Sequence, residues 1–358
     1  MGKAKQKTTQ PSASPAKVKA TYRRRRQTQE RDTPPKRQRK NNQGRARQPS
    51  PPPQTEAQLG GGGLHSFLQL PDKHRRALER FLPLPFGQQR CIDWDLLERL
   101  GAADPVRTCL RLPAWCEVLS INEVIYRELT IEFLSTLSIK FMCEFHLDKP
   151  EDNITFRLGG QARQMSITEF TEALQIYPPG FLTTGHGLIS EKVYSPRAQL
   201  VDAMWKRVKQ NHVDKSDTAH YKGNDLLPPW RIIHNIIAHS VAAREGSPGS
   251  VTKRDLNFFL SMAKDPPIHL GLVILKTLQK MTSNKQIKTI HGGAYITRLA
   301  RHFGIDPVGS HCTIAQSTQP ISQKNLADLY LLSKVNVPTN TFLFTVNAKT
   351  ELVGIQTI

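Results

Sequence analysis

The sequence predicts an α+β fold that is mainly α: a helix-rich body with a small antiparallel β-hairpin sheet, preceded by a long disordered basic tail. Three observations predict it. Charge is concentrated at one end: of the net +20 carried by 358 residues, residues 1–58 supply +13, from 16 Lys and Arg against Glu30, Asp32 and Glu56. The same segment contains no Leu, Ile, Phe or Trp, so it cannot bury enough apolar surface to offset its ordering entropy. Beyond it, apolar residues recur at helical spacing almost throughout and switch to strict alternation only between 139 and 166.

Within the tail the charge is clustered. Arg23, Arg24, Arg25 and Arg26 are followed, after nine residues that include Pro34-Pro35, by Lys36, Arg37, Arg39 and Lys40. Two basic clusters at that spacing on an extended chain suit the paired acidic pockets of a nuclear import receptor, and the same charges can neutralise phosphates of RNA or DNA by releasing counterions. A solvated tail without a dedicated partner is the plainer alternative. Pro49–Pro53 and Gly60–Gly63 then read as a stiff and a flexible linker, placing the boundary of the tail at residue 63.

The body, 64–306, is read element by element. Asp72–Leu82 and Asp93–Leu100 are short helices, with Asp93 as a cap and Gly101 as a stop. Asn122–Leu137 reads as an amphipathic helix with Tyr126, Leu129, Phe133 and Leu137 on the core face and Arg127, Glu128 and Glu132 facing away. Ile139 to Leu147 alternates as a strand. Ile154, Phe156 and Leu158 alternate again, Gly159-Gly160 supplies a tight turn, and Gln161–Ser166 returns as the partner strand. Ser166 and Glu169 form a capping box for the next helix, which ends by Tyr177-Pro178-Pro179-Gly180, and the loop Phe181–Tyr194 lacks periodicity.

Helices follow at Arg197–Val208, after Pro228-Pro229, after the Thr252/Asp255 cap, at His269–Thr282 and at Ala294–Phe303. Residues Leu272–Leu275 are apolar all round, which puts that helix in the middle of the bundle. Residues 307–358 form a poorly patterned extension with a short helix at Asn325–Leu332 and a strand at Phe342–Val346.

Catalytic and metal signatures are missing from the sequence. His234 and His239, five apart on one helix, point about 140° away from each other and cannot chelate one ion. The five Cys include no Cys-x-x-Cys, which fits reduced, buried thiols. Nucleophile elbow, P-loop and dinucleotide fingerprints are missing, and His291-Gly292-Gly293-Ala294 reads as a glycine turn into a helix. The expectation is therefore a protein that is not an enzyme and needs no cofactor or metal; an unrecognised active site would need a deep polar pocket near His234, His239 or His291. No apolar run reaches membrane-spanning length.

One stretch of the body stands out. Pro266–Ile305 has no Asp or Glu but contains Lys276, Lys280, Lys285, Lys288, Arg298 and Arg301. Lys276 and Lys280 share one helix and Arg298 and Arg301 another, so the spacing allows a shared basic face; a solvated outer face is equally compatible.

With these segments in view, a resemblance emerges. Trp94–Gly101, the run Tyr126–Leu137 beginning Tyr-Arg-Glu-Leu-Thr, Ile154–Leu158 with Glu169-Phe170, Ala238-His239-Ser240, Gly249–Leu256 and Arg298–Ile305 resemble the first open reading frame protein of Athila-group, Gypsy-class plant LTR retrotransposons. The resemblance covers roughly 90–305. It implies a retroelement-encoded protein with no defined catalytic activity. This chain lacks a nucleocapsid zinc knuckle, a protease Asp-Ser/Thr-Gly triplet and a polymerase Tyr-x-Asp-Asp. The combined expectation is a nuclear protein that binds RNA or DNA through its tail, assembles with itself as a homo-oligomer, or does both; a domesticated chromatin adaptor is the alternative.

Overall fold

The computed structural model describes residues 64–140, 153–183, 198–210, 221–244, 246, 248–263, 268–334, 342–345 and 352–355. The basic clusters of the tail, most of the alternating run after Ile139 and most of the loop 181–194 lie outside these residues. The unit Gly62–Ile358 is helix-rich with small, mostly antiparallel sheets, as the periodicity predicts.

In chain order the elements are α1 (Asp72–Phe81), β1 (Arg90–Cys91), α2 (Trp94–Arg99), α3 (Ala103–Cys109), α4 (Pro113–Leu119), β2 (Val124–Tyr126), α5 (Arg127–Thr136) and β3 (Ser138–Lys140). They continue with β4 (Asn153–Leu158), β5 (Gln161–Ser166), α6 (Ile167–Ala173), α7 (Ala198–Val208), α8 (Pro228–His239), α9 (Lys253–Ala263), α10 (Leu270–Ser283) and α11 (Gly293–His302). The last are β6 (Ile314–Ser317), β7 (Gln319–Pro320), α12 (Gln323–Asp328), β8 (Leu332–Lys334), β9 (Phe342–Thr345) and β10 (Leu352–Ile355).

Local chemistry explains many of the boundaries. The Asp93 carboxylate accepts from Leu96 N at 2.9 Å and starts α2. Gly101, at φ +64°, follows its end. The hairpin β4–β5 pairs Leu158 with Gln161 across Gly159 and Gly160, whose φ of +65° and +80° match the twist that a two-residue hairpin loop requires. The capping box at α6 is closed both ways, Glu169 N to Ser166 Oγ at 3.1 Å and Ser166 N to Glu169 Oε2 at 2.6 Å. Thr252 and Asp255 make the equivalent exchange at the start of α9.

The predicted helix over 122–137 begins only at Arg127. Val124–Tyr126 is instead an extended strand paired antiparallel with β6, with a register shift at Ile125/Tyr126. The β-branched Val124 and Ile125 suit that pairing, and only a partner far along the chain makes it available. The outward face predicted for this helix is also corrected: Glu128 is 6% and Glu132 0% exposed. Helix α5 is the hub of the fold, packed against α1, α10, α11 and β4, so no flank of it faces water. Its buried carboxylates are used as anchors. Glu132 Oε1 accepts from Gly160 N at 2.9 Å and holds the hairpin turn, while Glu128 Oε2 accepts from Thr313 N at 2.7 Å and holds the approach to β6.

One apolar core runs from Leu68 to Leu332. Helix α10 lies within it, with Leu272, Val273, Ile274 and Leu275 each no more than 1% exposed, as the all-round apolar pattern predicts. Phe133 of α5 meets Phe156 of β4 at 4.9 Å between ring centroids. Truncating a fully buried Phe here costs roughly 3–5 kcal/mol. Strands β6 and β7 return from beyond residue 306 to pair with β2 and, in parallel, with β1, so part of the weakly patterned C-terminal stretch belongs to the same core.

Candidate nucleic-acid interface

Helix α10 ends in the basic stretch noted in the sequence. Lys280 is exposed in its last turn, where the carbonyl end of the helix favours a cation. The chain then turns through Asn284, whose Oδ1 accepts from Gln286 N at 2.9 Å. Ile287, 8% exposed, pins that turn to the core. Lys285 and Lys288 on either side of it are exposed, and Lys276, further inside, is half-buried. Three of the predicted cations therefore project from one anchored segment.

Arg298 and Arg301 are placed differently. On α11 they converge on one carboxylate, Glu123: Arg298 Nε lies 3.2 Å from Oε1, and Arg301 grips both oxygens at 2.9 and 2.5 Å. Arg298 also donates to the Leu174 carbonyl at 2.9 Å, covering the end of α6. Hydrogen bonding to Glu123 holds the Arg301 guanidinium above its ordinary pKa. Both guanidiniums meet one buried carboxylate just before β2, so they are tied to Glu123 and together leave one net positive charge there. The tail residues Arg23–Arg26 and Lys36–Lys40 lie outside the described residues.

The structure adds a set of cations that sequence reading missed. Arg80, in the last turn of α1, donates to the Thr282 carbonyl at 2.8 Å, which brings α1 against the end of α10. Lys73, Arg76 and Arg80 fall at i, i+3 and i+7, one flank of the helix. That spacing was legible; its neighbour some 200 residues along the chain was not.

The groups that could carry other chemistry are mostly engaged in the fold. His234, 2% exposed, faces Asp255 at 3.5 Å, and Arg244 pairs with the same carboxylate. Burial alone would raise the Asp255 pKa, but His234, Arg244 and the Thr252 N–H outweigh it and hold it below its ordinary value. His239 Nδ1 lies 2.8 Å from the Asn235 carbonyl, so the two histidines of α8 serve different partners. Burial pushes the Cys91 and Cys312 thiols up to about 12 and Cys109 to about 11, which keeps them protonated. Among the described residues there is no group of three or more His, Cys, Asp or Glu placed to hold a metal ion. No described helix is long and apolar enough to cross a membrane.

An open cleft of about 410 Å³ is lined by Leu112, Trp115, Tyr177, Phe181 and Ile268 among others. Its one prominent polar group, the Tyr177 hydroxyl, donates to the Ile268 carbonyl at 3.1 Å and accepts from Leu270 N at 3.0 Å. The cleft is thus an apolar surface with its hydroxyl already committed.

Comparison with protein-family models, with curated proteins and with solved structures finds no match for this chain in any of the three.

Proposed function

We propose that this chain is a non-enzymatic, nuclear, nucleic-acid-associated protein of the retroelement-encoded kind that its sequence resembles. The basic tail makes sequence-independent phosphate contacts, and the folded body serves contacts with other proteins, a second copy of itself among them. The observation that carries the reading is the charge distribution: +13 of the net +20 lies in residues 1–58, and eight of that segment's 16 cations form two clusters spaced as a bipartite import signal is. Two further observations favour it over catalysis. The histidines of α8 are taken up by fold contacts, and the described cysteines are held as thiols.

Binding of RNA and DNA across a salt series tests the reading. The full chain should bind with an affinity that falls steeply with salt, and replacing the tail cations by Gln should remove most of it. An affinity insensitive to both salt and tail charge overturns the proposal. Nuclear accumulation of a fluorescent fusion should disappear when Lys36, Arg37, Arg39 and Lys40 are replaced by Gln; retained accumulation removes the import signal from the reading.

A further inference from the structure

We propose that β5, the open edge of the hairpin sheet, is an interface on which a second copy of this chain adds its own β5 antiparallel across a two-fold axis. This deepens the self-assembly part of the reading above and rests on it.

The argument begins with the strand order. The sheet runs β3-β4-β5, so β5 has a strand neighbour on one side alone. An antiparallel ladder alternates hydrogen-bonded with non-bonded pairs, and the pair that closes a two-residue turn, here Leu158 with Gln161, is a bonded one. Gln161, Arg163 and Met165 therefore spend their backbone groups on β4, while Ala162, Gln164 and Ser166 aim theirs at the open side. Two contacts fix that parity. Ser166 N turns outward to Glu169 Oε2 at 2.6 Å, and Arg157 N, across from Ala162, turns away from β5 to Thr136 Oγ1 at 2.7 Å. Ala162 and Gln164 are both exposed, and among the described residues nothing bonds their outward N–H and C=O groups. The edge is also undefended. Proteins blunt open edges with Lys, Pro or a bulge. Gln161–Ser166 contains neither Lys nor Pro, and its register with β4 is unbroken, unlike the shifted pairing of β2 with β6.

The pattern is complementary to itself, which gives the occupant. With the two-fold axis at Arg163, Ala162 of each copy meets Gln164 of the other, and every outward N–H of the two residues finds an outward C=O. The side chains that flank these bonds, Ala162 and Gln164, are small or neutral. Arg163 lies on the axis, where like charges directly opposite repel. Its guanidinium is drawn back toward the hairpin turn, however: Nε donates to the Leu158 carbonyl and Nη2 to Gln161 Oε1, both at 3.3 Å, above the Phe303 ring at 4.0 Å. The two turns lie at opposite ends of the seam, so the guanidiniums sit roughly 13 Å apart at about 3.3 Å per residue. That exceeds the screening length of about 8 Å at physiological salt. A seam this short buries less than a standard interface, so the dimer is weak and its population follows concentration. Being two-fold, it closes on itself and stops at two copies.

The test uses the full chain, freed of nucleic acid by nuclease. It combines sedimentation velocity up to near-millimolar concentration with amide hydrogen exchange read residue by residue at the two ends of that range. The parent should pass from monomer to dimer and no further. The amides of Ala162 and Gln164 should gain about tenfold protection at the high concentration, while those of Gln161, Arg163 and Met165 stay protected throughout. Ala162→Pro removes an outward N–H, which an edge strand tolerates, and the two-fold seam loses that bond twice; dimerisation should weaken about tenfold or more with the hairpin intact. Gln164→Lys and Gln164→Glu each set like charges about 7 Å apart across the seam and should weaken it, whereas mixing the two should restore association as a heterodimer. Gln286→Lys, exposed in the turn after α10, should change nothing. If the chain dimerises but neither those amides nor the β5 variants respond, this surface is overturned and the assembly reading stands. If the chain stays monomeric to near-millimolar concentration, the assembly reading fails with it, and nucleic-acid binding is judged by its own salt series. If the two amides gain protection only on addition of a synthetic Thr-Val-Thr-Val-Thr peptide, the edge takes a strand of another protein and the second copy is overturned.

Discussion

Two carboxylates of this protein are equally cut off from water and yet differently charged. Glu132 on α5 and Asp255 on α9 are both 0% exposed. Glu132 accepts from the Gly160 backbone at 2.9 Å and has its nearest cation, Arg157, at 3.7 Å, while Oε2 has no hydrogen-bond donor. Burial therefore prevails and pushes its pKa up to about 7. Asp255 suffers the same penalty, but Arg244, His234 and the Thr252 N–H and hydroxyl surround it, and its pKa falls below the ordinary value. Depth of burial does not decide the ionisation of a buried acid; the number and charge of the donors it meets do. The hairpin is thus held by an acid that titrates near neutrality, and the α8–α9 junction by one whose donors favour the carboxylate.

The comparison breaks most sharply at Asp255. Asp255→Ala leaves Arg244 and His234 without their counter-charge and removes the cap of α9, so unfolding free energy in urea should drop by roughly 3–5 kcal/mol. Arg244→Met together with Asp255→Ala should recover part of that, since the uncompensated charge goes with its partner. A single Asp255→Ala within about 1 kcal/mol of the parent would show that the cluster carries no net stability.

At Glu132 the expected signature is a pH dependence of unusual sign. Its folded pKa of about 7 lies above the unfolded value of 4.5, so the folded state binds the extra proton between those limits. Stability from this group is fully present below about 4.5 and is lost as pH rises through 7, by on the order of 3 kcal/mol. Glu132→Gln keeps an acceptor for Gly160 and should flatten that limb, becoming the more stable protein at pH 8. His269 supplies the opposite limb. Complete burial lowers its pKa to about 4, so stability is lost as pH falls from 6.5 towards 4, and His269→Asn, which can still cap α10, should flatten that side. Chemical denaturation at half-unit steps of pH from 4 to 8 reads both; a Glu132→Gln profile parallel to the parent's would sink the assignment.

A smaller effect belongs to the turn that Glu132 holds. Gly160, at φ +80°, has only ordinary contact with Phe67 where a Cβ would go, so Gly160→Ala should cost about 1–2 kcal/mol from backbone strain alone. Urea denaturation at pH 7 reads this change, and a substitution that costs nothing would mean that the turn relaxes without its left-handed geometry.

Which parts of this were legible in the sequence follows from how local their causes are. The β4–β5 hairpin, the Ser166/Glu169 box and the Thr252/Asp255 cap each depend on residues a few positions apart, and each forms where the sequence places it. Strand β2 reads locally as helix because the partner that makes it a strand, β6, lies far along the chain. The local pattern turns Glu128 and Glu132 to solvent because the donors that make their burial tolerable, Thr313 and Gly160, lie outside the helix. Helices α3 and α4, seven residues each and without side-chain caps, gave no periodic signal to read. Of the basic surface, Lys280, Lys285 and Lys288 were visible as an acid-free run, whereas Lys73 and Arg76 join them only through the Arg80–Thr282 contact.

The smallest expected effect sharpens the same lesson at a third acid. Glu123 is 8% exposed and shared by two arginines of unequal burial: the Arg298 side chain is 19% exposed and that of Arg301 67%. If donors rather than depth set the state of a buried acid, losing the exposed partner should matter little while the buried one remains. Arg301→Gln should therefore cost no more than about 1 kcal/mol, and less at high salt, because a solvated arginine contributes weakly even in a two-pronged pair. Arg298→Met should cost several-fold more, since it also strips the Leu174 carbonyl of its donor at the end of α6. Equal losses at the two positions in a urea titration would mean that the pair acts as one clamp, and that Arg301 reaches into the fold despite its exposure.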